Sequence, residues 1–158
     1  KSLNKLPYLE VDNEIIPQSK AIERYLAKRF NMMGSNIIEE AKIDSICECI
    51  RDIKEAYQKI RYITDDNDKK IKMGEWFSKL FPERLLLLET ILNNNYAVGD
   101  LLSLADVVIY SLITQFFDNK EGAWNATSKS YKIRSIVLKM SDNPRIKIWL
   151  NKRPDTLF

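Results

Sequence analysis

The chain has 158 residues, of which 45% are hydrophobic and 30% are charged, and its formal net charge is +3. This length suits one compact unit or two small ones, and the composition is that of a folded globular protein rather than a disordered one. The sequence contains no histidine, which excludes every catalytic triad, general base and zinc site that depends on that side chain. The small net charge gives no indication of nucleic-acid binding.

The cysteines and the hydropathy pattern predict a soluble protein of a reducing compartment. Cys47 and Cys49 are two residues apart in a helical pattern, so they point to different sides of the helix and cannot easily form a disulfide. No apolar run approaches the roughly 18 residues that a membrane-spanning helix needs. We also expect no signal peptide. The expectation is therefore a cytoplasmic protein that binds neither membranes nor nucleic acid.

Residues 7–16 predict a β-hairpin. Their side chains alternate in character, and Asp12-Asn13 is a two-residue turn able to adopt positive φ. A single hairpin is only marginally stable, so we expect it to complete a larger sheet. Ser19 is expected to be the N-cap of a following helix, whose apolar face comprises Ile22, Tyr25, Leu26 and Phe30.

The chain after residue 36 is predicted to be entirely helical. A long helix presents a narrow apolar seam with spacings of three and four residues, formed by Ile43, Ile46, Ile50, Ile53, Tyr57 and Ile60. A charged turn is predicted over residues 64–70, before a third helix that Pro82 can kink.

Ser103 and Asp106 predict a capping box at the start of the next helix, which is apolar on nearly all faces and should be the buried centre. Two further helices are predicted, around residues 133–140 and after Pro144. The predicted fold class is α+β.

Two features beside the hairpin together suit a short anionic peptide. If the Leu6–Pro7 bond is cis, the Leu6 backbone N–H and C=O turn outward to pair with such a peptide; the alternative is an ordinary trans proline at a strand edge. Gln18 and Ser19 lie at a helix N-terminus, where free amides, the helix dipole and a hydroxyl suit a carboxylate. The alternative is that Ser19 only caps its helix.

Four motifs in chain order resemble those of the cytosolic glutathione transferases, particularly the sigma class, which includes glutathione-dependent prostaglandin D synthases. They are Lys5-Leu6-Pro7-Tyr8-Leu9-Glu10-Val11-Asp12, Gln18-Ser19-x-Ala21-Ile22-x-Arg24-Tyr25-Leu26-Ala27, Gly99-Asp100-x-Leu102-Ser103-Leu104-Ala105-Asp106 and Ile148-Trp149-Leu150-Asn151-Lys152-Arg153-Pro154. The resemblance implies a thioredoxin-like glutathione-binding domain, with residues 1–31 as its C-terminal part. It also implies an all-α C-terminal domain over residues 37–158, and a homodimer.

The same resemblance implies roles for individual residues toward glutathione, the co-substrate. The bond before Pro7 would be cis, and the Leu6 backbone would pair with the cysteinyl part. Lys5 would lie near the glycyl carboxylate. Gln18 and Ser19 would hold the γ-glutamyl group.

The resemblance does not extend to the family's first strand, first helix and second strand. The tyrosine of that first strand stabilises the glutathione thiolate, and none of the seven tyrosines in this chain occupies its position. The expectation is therefore that these residues form the later two-thirds of an enzyme and include no catalytic residue.

A charged stripe lies beside the apolar seam of the long helix, formed by Asp44, Glu48, Arg51, Asp52 and Glu55. It is either a solvated face with pairs inside the helix or, by the resemblance, the dimer cleft in which Asp52 reaches the partner's glutathione amino group. Arg51 is expected to keep the Asp52 carboxylate ionised. Since Arg51 stands where the synthases have an acid, no metal site is predicted.

The resemblance implies detoxifying conjugation of the glutathione thiolate to small electrophiles. The electrophile is expected against Tyr57, Ile60 and Arg61, but the spacing of Tyr57 and Ile60 favours core residues of the helix seam. Two alternatives remain: a non-catalytic transferase-like binding module and a glutathione-dependent prostaglandin isomerase.

Overall fold

The computed structural model describes residues 5–154. Residues 1–4 of the first predicted domain and residues 155–158 of the second lie outside this range. A two-stranded antiparallel sheet is followed by a helical region, which confirms the expected α+β organisation. The elements are β1 (Tyr8–Val11), β2 (Glu14–Pro17), α1 (Ser19–Arg29), α2 (Ile37–Arg61), α3 (Asp66–Glu75), α4 (Phe81–Glu89), α5 (Leu104–Ser111), α6 (Lys120–Ala126), α7 (Tyr131–Asp142) and α8 (Pro144–Lys152). The division into domains at residues 31 and 37 stays a prediction.

The predicted hairpin is confirmed in both strands and turn. Tyr8 is opposite Pro17, and Val11 is opposite Glu14. Between them Asp12 and Asn13 have φ values of 50° and 63°, the left-handed pair that a tight two-residue hairpin turn requires. Over residues 5–154 the sheet has these two strands alone.

The expectation that Ser19 is the N-cap of α1 is wrong. Gln18 holds that position, with a φ of 74°, and its side chain makes no capping hydrogen bond. Its carbonyl oxygen accepts the bond from the Ile22 N–H at 3.0 Å, so the helix begins one residue earlier than a serine cap would allow. Ser19 is instead the first helical residue, where its own N–H has no partner within the helix.

The apolar faces of α1 and α2 are buried to different degrees. The six seam residues predicted for α2 are all buried, and Asn36 caps this helix by accepting hydrogen bonds from the amides of Ile38 and Glu39, both at 3.0 Å. On α1, Ile22, Tyr25 and Leu26 are half-buried. Phe30 is 64% exposed, because it follows the last residue of the helix.

No helix within residues 5–154 has both the length and the apolar character to cross a lipid bilayer.

The region between α2 and α4 is more helical than the sequence suggested. The charged turn predicted over residues 64–70 is wrong beyond its first residues, because Asp65 caps α3 by accepting from the Asp68 amide at 2.7 Å. Near Pro82, where the sequence allows a kink, the helix departs from regular α geometry. Residues 76–80 form a wide π-helical turn, in which the Phe81 N–H bonds to the Trp76 carbonyl five residues back. Pro82 has no N–H to continue a regular ladder.

An aromatic cluster fills the core between α2, the wide turn over residues 76–80 and a second wide turn, over residues 112–116, that follows α5. Its members are Tyr57, Trp76, Phe77, Phe81, Phe116 and Phe117. The ring centroids of Tyr57 and Phe117 are 4.7 Å apart, and those of Phe81 and Phe117 are 4.8 Å apart. Helix α6, which the sequence analysis did not predict, follows this cluster. Asn119 caps it by accepting from the Gly122 amide at 2.8 Å.

The predicted capping box at α5 is confirmed and extends further than expected. Asp106 is fully buried. Its Oδ2 accepts from both the amide and the hydroxyl of Ser103 at 2.8 Å, and its Oδ1 accepts from the Ala97 amide at 2.7 Å. One carboxylate thus fixes the start of α5 and the loop that leads to it.

We predict that Asp106→Ala lowers the free energy of unfolding by about 2–4 kcal/mol, because three donors lose their charged acceptor inside the protein. Urea denaturation followed by circular dichroism measures this. The matched control is Asp100→Ala, in which an exposed carboxylate of the same loop is removed, and its effect should stay within about 0.5 kcal/mol. Equal effects of the two substitutions would contradict the structural role of Asp106.

Candidate functional site

The hairpin register brings the two sequence-predicted peptide-binding segments to one end of the sheet. Since Tyr8 is opposite Pro17, the residues before β1 lie beside those after β2. The Leu6–Pro7 peptide bond is cis, in agreement with the expectation. Lys5, Gln18 and Ser19 are exposed, and Leu6 is 84% exposed. This end of the hairpin is therefore open.

The start of α1 offers hydrogen-bond donors at the open end. The first intrahelical bond comes from the Ile22 N–H, so the amides of Ser19, Lys20 and Ala21 precede the bonded ladder. These amides point out of the positive end of the helix dipole, which favours a negative charge. The exposed Ser19 hydroxyl adds a donor beside them.

Arg24 fixes α1 on α2, a contact that was not predicted from the sequence. Its Nε donates to Asp44 Oδ1 at 2.6 Å, and its Nη2 donates to Glu48 Oε1 at 2.5 Å. The hydrogen bond to Asp44, followed by that to Glu48, raises the pKa of Arg24 above its ordinary value. One turn further along α1, Lys28 pairs with Glu40 at 2.5 Å. The charged stripe of α2 therefore serves in part to bind α1.

The expectation that Arg51 keeps the Asp52 carboxylate ionised stays a prediction, and the ion pair that Arg51 forms is with a different acid of the stripe. Arg51 Nη1 instead lies 2.9 Å from Glu48 Oε2. Residues three apart on a helix share a face, whereas adjacent residues diverge, so the pairing with Glu48 is the one that α2 permits. Over the described range, 5–154, no cluster of three or more Asp, Glu or Cys side chains has the geometry to hold a metal ion.

Asp52 belongs to α2 and not to the hairpin. It lines a groove of about 250 Å³ between α2 and α4, together with Cys49, Arg84, Leu87 and Ile91 among others. None of Lys5, Leu6, Pro7, Gln18 and Ser19 lines this groove. The hairpin register thus places five of the six predicted site residues at one end of the sheet, and Asp52 lines a groove between α2 and α4.

The two cysteines point to different sides of α2, as expected, and both are free thiols. Cys47 is buried, and this burial raises its pKa to about 11. It therefore stays protonated at neutral pH and cannot act as a thiolate nucleophile. Cys49 is exposed at the groove that contains Asp52.

The three residues expected against the electrophile differ in their surroundings, and their role stays a prediction. Tyr57 is 2% exposed and belongs to the aromatic cluster, and Ile60 is buried. Tyr57 nevertheless forms one wall of a cavity of about 350 Å³, whose other walls are Met73, Gly74, Phe77, Asp118 and Asn119. Arg61 lies 3.6 Å from Asp118, at the margin of that cavity. Ile60 is a core residue and does not line it.

Comparison with known proteins agrees with this fold and with the resemblance seen in the sequence. The family model for the glutathione S-transferase C-terminal domain matches residues 51–153. Glutathione S-transferase 1 from Ascaris suum is 32% identical over 167 residues, covering 98% of this chain and 76% of the relative. S-crystallin SL11 from Nototodarus sloanii is 28% identical over 159 residues, covering 97% and 76% of the two chains.

Solved structures with glutathione transferase folds also superpose on this chain. Prostaglandin synthase D of Nilaparvata lugens superposes with a TM-score of 0.80 at 27% identity, covering 96% of this chain and 76% of that one. Na-GST-3 from Necator americanus, described as monomeric, superposes with a TM-score of 0.82 at 27% identity, covering 98% and 77%. The chain belongs to the cytosolic glutathione S-transferase family and is sigma-like.

Proposed function

We propose that this protein binds glutathione at the open hairpin end and conjugates its thiolate to small electrophiles. The observation that carries the proposal is the hairpin register, which sets the cis Leu6–Pro7 bond beside the start of α1. A short anionic peptide lying there meets an extended backbone on one side and helix amides on the other. We expect the protein to act as a cytoplasmic transferase that detoxifies small electrophiles.

Each residue has a role that its chemistry supports. The Leu6 backbone precedes the β-ladder, which begins at Tyr8, so its N–H and C=O can pair with the cysteinyl part of glutathione. Gln18 and Ser19 hold the γ-glutamyl carboxylate through the Ser19 amide and hydroxyl. Lys5 supplies a cation for the glycyl carboxylate, and the bend at Pro7 shapes the backbone around the cysteinyl group.

The chemistry requires a thiolate at neutral pH. A free thiol has a pKa of about 8.5, so lowering it by one or two units raises the reactive fraction severalfold or more. The chain has no histidine, and the buried Cys47 and Tyr57 have raised pKa values. We expect the activating hydroxyl to come from the tyrosine that the family carries on its first strand.

A non-catalytic binding module is the second candidate, because an S-crystallin is among the similar proteins. A prostaglandin isomerase is a third, because a prostaglandin synthase shares the fold at 27% identity. Both retain the proposed glutathione site and differ in the reaction that the bound glutathione undergoes. Activity assays separate the three candidates. A transferase reacts with a general electrophile, an isomerase reacts with a prostaglandin H substrate, and a binding module reacts with neither.

We predict that Ser19→Ala weakens glutathione binding by about 1–3 kcal/mol, the usual loss for a hydrogen bond to a charged group. Isothermal titration calorimetry measures the dissociation constant. Ser45→Ala is the control, since this exposed hydroxyl on α2 donates to the Ala41 carbonyl of its own helix. An unchanged affinity in Ser19→Ala would count against the site.

We predict that a polypeptide beginning at Lys1 binds glutathione but conjugates it slowly, because these residues offer no group suited to activate the thiol. Joining the first strand, helix and second strand of a sigma-class relative to its N-terminus should restore conjugation of 1-chloro-2,4-dinitrobenzene, measured by absorbance. Replacing the first-strand tyrosine of the extended protein by phenylalanine is the control. Rapid conjugation by the shorter polypeptide would overturn the proposed mechanism.

We also propose a two-fold homodimer in which Asp52 meets the amino group of the glutathione bound by the partner. The groove that Asp52 lines is bordered by Leu87 and Ile91, which are 71% and 49% exposed. A contact with a second copy would cover these side chains. Because one structural relative is described as monomeric, the oligomeric state itself has to be measured.

Asp52→Asn should raise the apparent dissociation constant for glutathione about two- to tenfold, because a partly desolvated ion pair is worth more than an exposed one. Sedimentation velocity should show the dimer unchanged. Glu55→Gln, an exposed member of the same stripe, is the control and should leave the affinity at the wild-type value. A wild-type affinity in Asp52→Asn would assign Asp52 to the solvated face.

A further inference from the structure

Lys54 is a half-buried cation that neither the fold nor the proposed glutathione site uses. It lies on α2, one turn before Tyr57, and its Nζ is 5.1 Å from the centre of the Phe116 ring. The Phe116 ring also packs on Tyr57, with centroids 5.9 Å apart. Lys54 therefore lies at the edge of the aromatic cluster, against the ring that packs on Tyr57.

The charges around Lys54 do not neutralise it. Across residues 5–154 no carboxylate lies within 4 Å of its ammonium. Its charged neighbours are Lys20 and Glu23 on α1, and these two bind each other at 2.7 Å. Burial, followed by the charge of Lys20, lowers the pKa of Lys54 below its ordinary value.

An unpaired cation that loses part of its hydration costs free energy unless an anion or another acceptor compensates for it. The Phe116 ring supplies part of this compensation, since a cation over an aromatic face is attracted to it. The ring takes one side of the ammonium, and the other donors have no carboxylate partner in the described part of the chain. Among residues 5–154, its remaining donors are therefore available to an anion.

The position of Lys54 indicates which ligand completes it. Lys20 is the residue after Ser19, so Lys54 faces the same helix that begins the proposed glutathione site. On its other side lies the aromatic wall formed by Phe116 and Tyr57. If glutathione binds at the start of α1 and the apolar part of its conjugate packs on this wall, the conjugate lies beside Lys54.

We propose that the Lys54 ammonium binds a carboxylate on the second substrate, so that the protein prefers electrophiles that carry an anionic group. This rests on the proposed glutathione site and names the substrate class that the site takes. The carboxylate meets the free donors of Lys54, while the apolar body of the electrophile packs against Phe116. Lys54 is thus a specificity-determining residue.

The test uses two glutathione conjugates that differ in one charge. S-(4-carboxybenzyl)glutathione carries the anionic group, and S-(4-methoxycarbonylbenzyl)glutathione is its neutral ester. Calorimetry at constant ionic strength gives the dissociation constants of both for the wild type and for Lys54→Gln, Lys54→Met, Lys54→Arg and Lys59→Gln. Lys54→Met keeps the apolar stem on Phe116, and Lys59→Gln removes an equal charge from an exposed position of the same helix.

The wild type should prefer the anionic conjugate about three- to tenfold. Lys54→Gln and Lys54→Met should lose this preference while binding the neutral ester as before, and Lys54→Arg and Lys59→Gln should keep it. If both conjugates bind the wild type equally, or if Lys54→Met retains the preference, the role of Lys54 is wrong and the glutathione site stands. If neither conjugate binds the wild type, the proposed function fails and this inference fails with it.

Discussion

The buried Asp106 carboxylate is the interaction on which the arrangement of the chain depends. It binds the Ser103 amide and hydroxyl at the start of α5 and the Ala97 amide in the preceding loop. The next residue after the cap, Leu104, donates its N–H to the Met32 carbonyl at 2.8 Å. Because Met32 follows α1, the same short stretch holds the end of the helix whose start forms the proposed glutathione site. A charge at the centre of the helical region thus sets the position of an exposed binding surface.

Local sequence signals predicted the features that depend on local physics. The α2 seam, the Asp12-Asn13 turn and the Ser103–Asp106 box each follow from the spacing or the backbone preference of a few neighbouring residues. Ser19 shows where such signals fail. A serine before a helix is a good cap, yet the positive φ of Gln18 moves the start of α1 back by one residue. That conformation is uncommon outside glycine and asparagine, and nothing in the residue type announces it.

The pairing between α1 and α2 was missed for a different reason. Arg24 and Lys28 recur at a spacing of four on α1, and Glu40, Asp44 and Glu48 recur at the same spacing on α2. Two stripes of opposite charge indicate neighbouring helices, and the crossing of the pairs, with the later base on the earlier acid, gives antiparallel helices. The same acids can also pair with bases of their own helix, as Glu48 does with Arg51. Spacing alone therefore left the choice between the two open.

The wide turn over residues 76–80 is equivalent to one extra residue in an otherwise regular helix, and a second such turn spans residues 112–116. In an α-helix each residue advances the side-chain direction by about 100°. The first turn brings Trp76 and Phe81, five positions apart, into a parallel stack with centroids 5.8 Å apart, and the second delivers Phe116 and Phe117 to the same cluster. The aromatic wall is therefore sensitive to chain length. Deleting one residue from the turn over residues 76–80 would rotate the side chains before and after it relative to one another by about 100°. A single-codon deletion would therefore turn a different set of aromatic rings toward Tyr57.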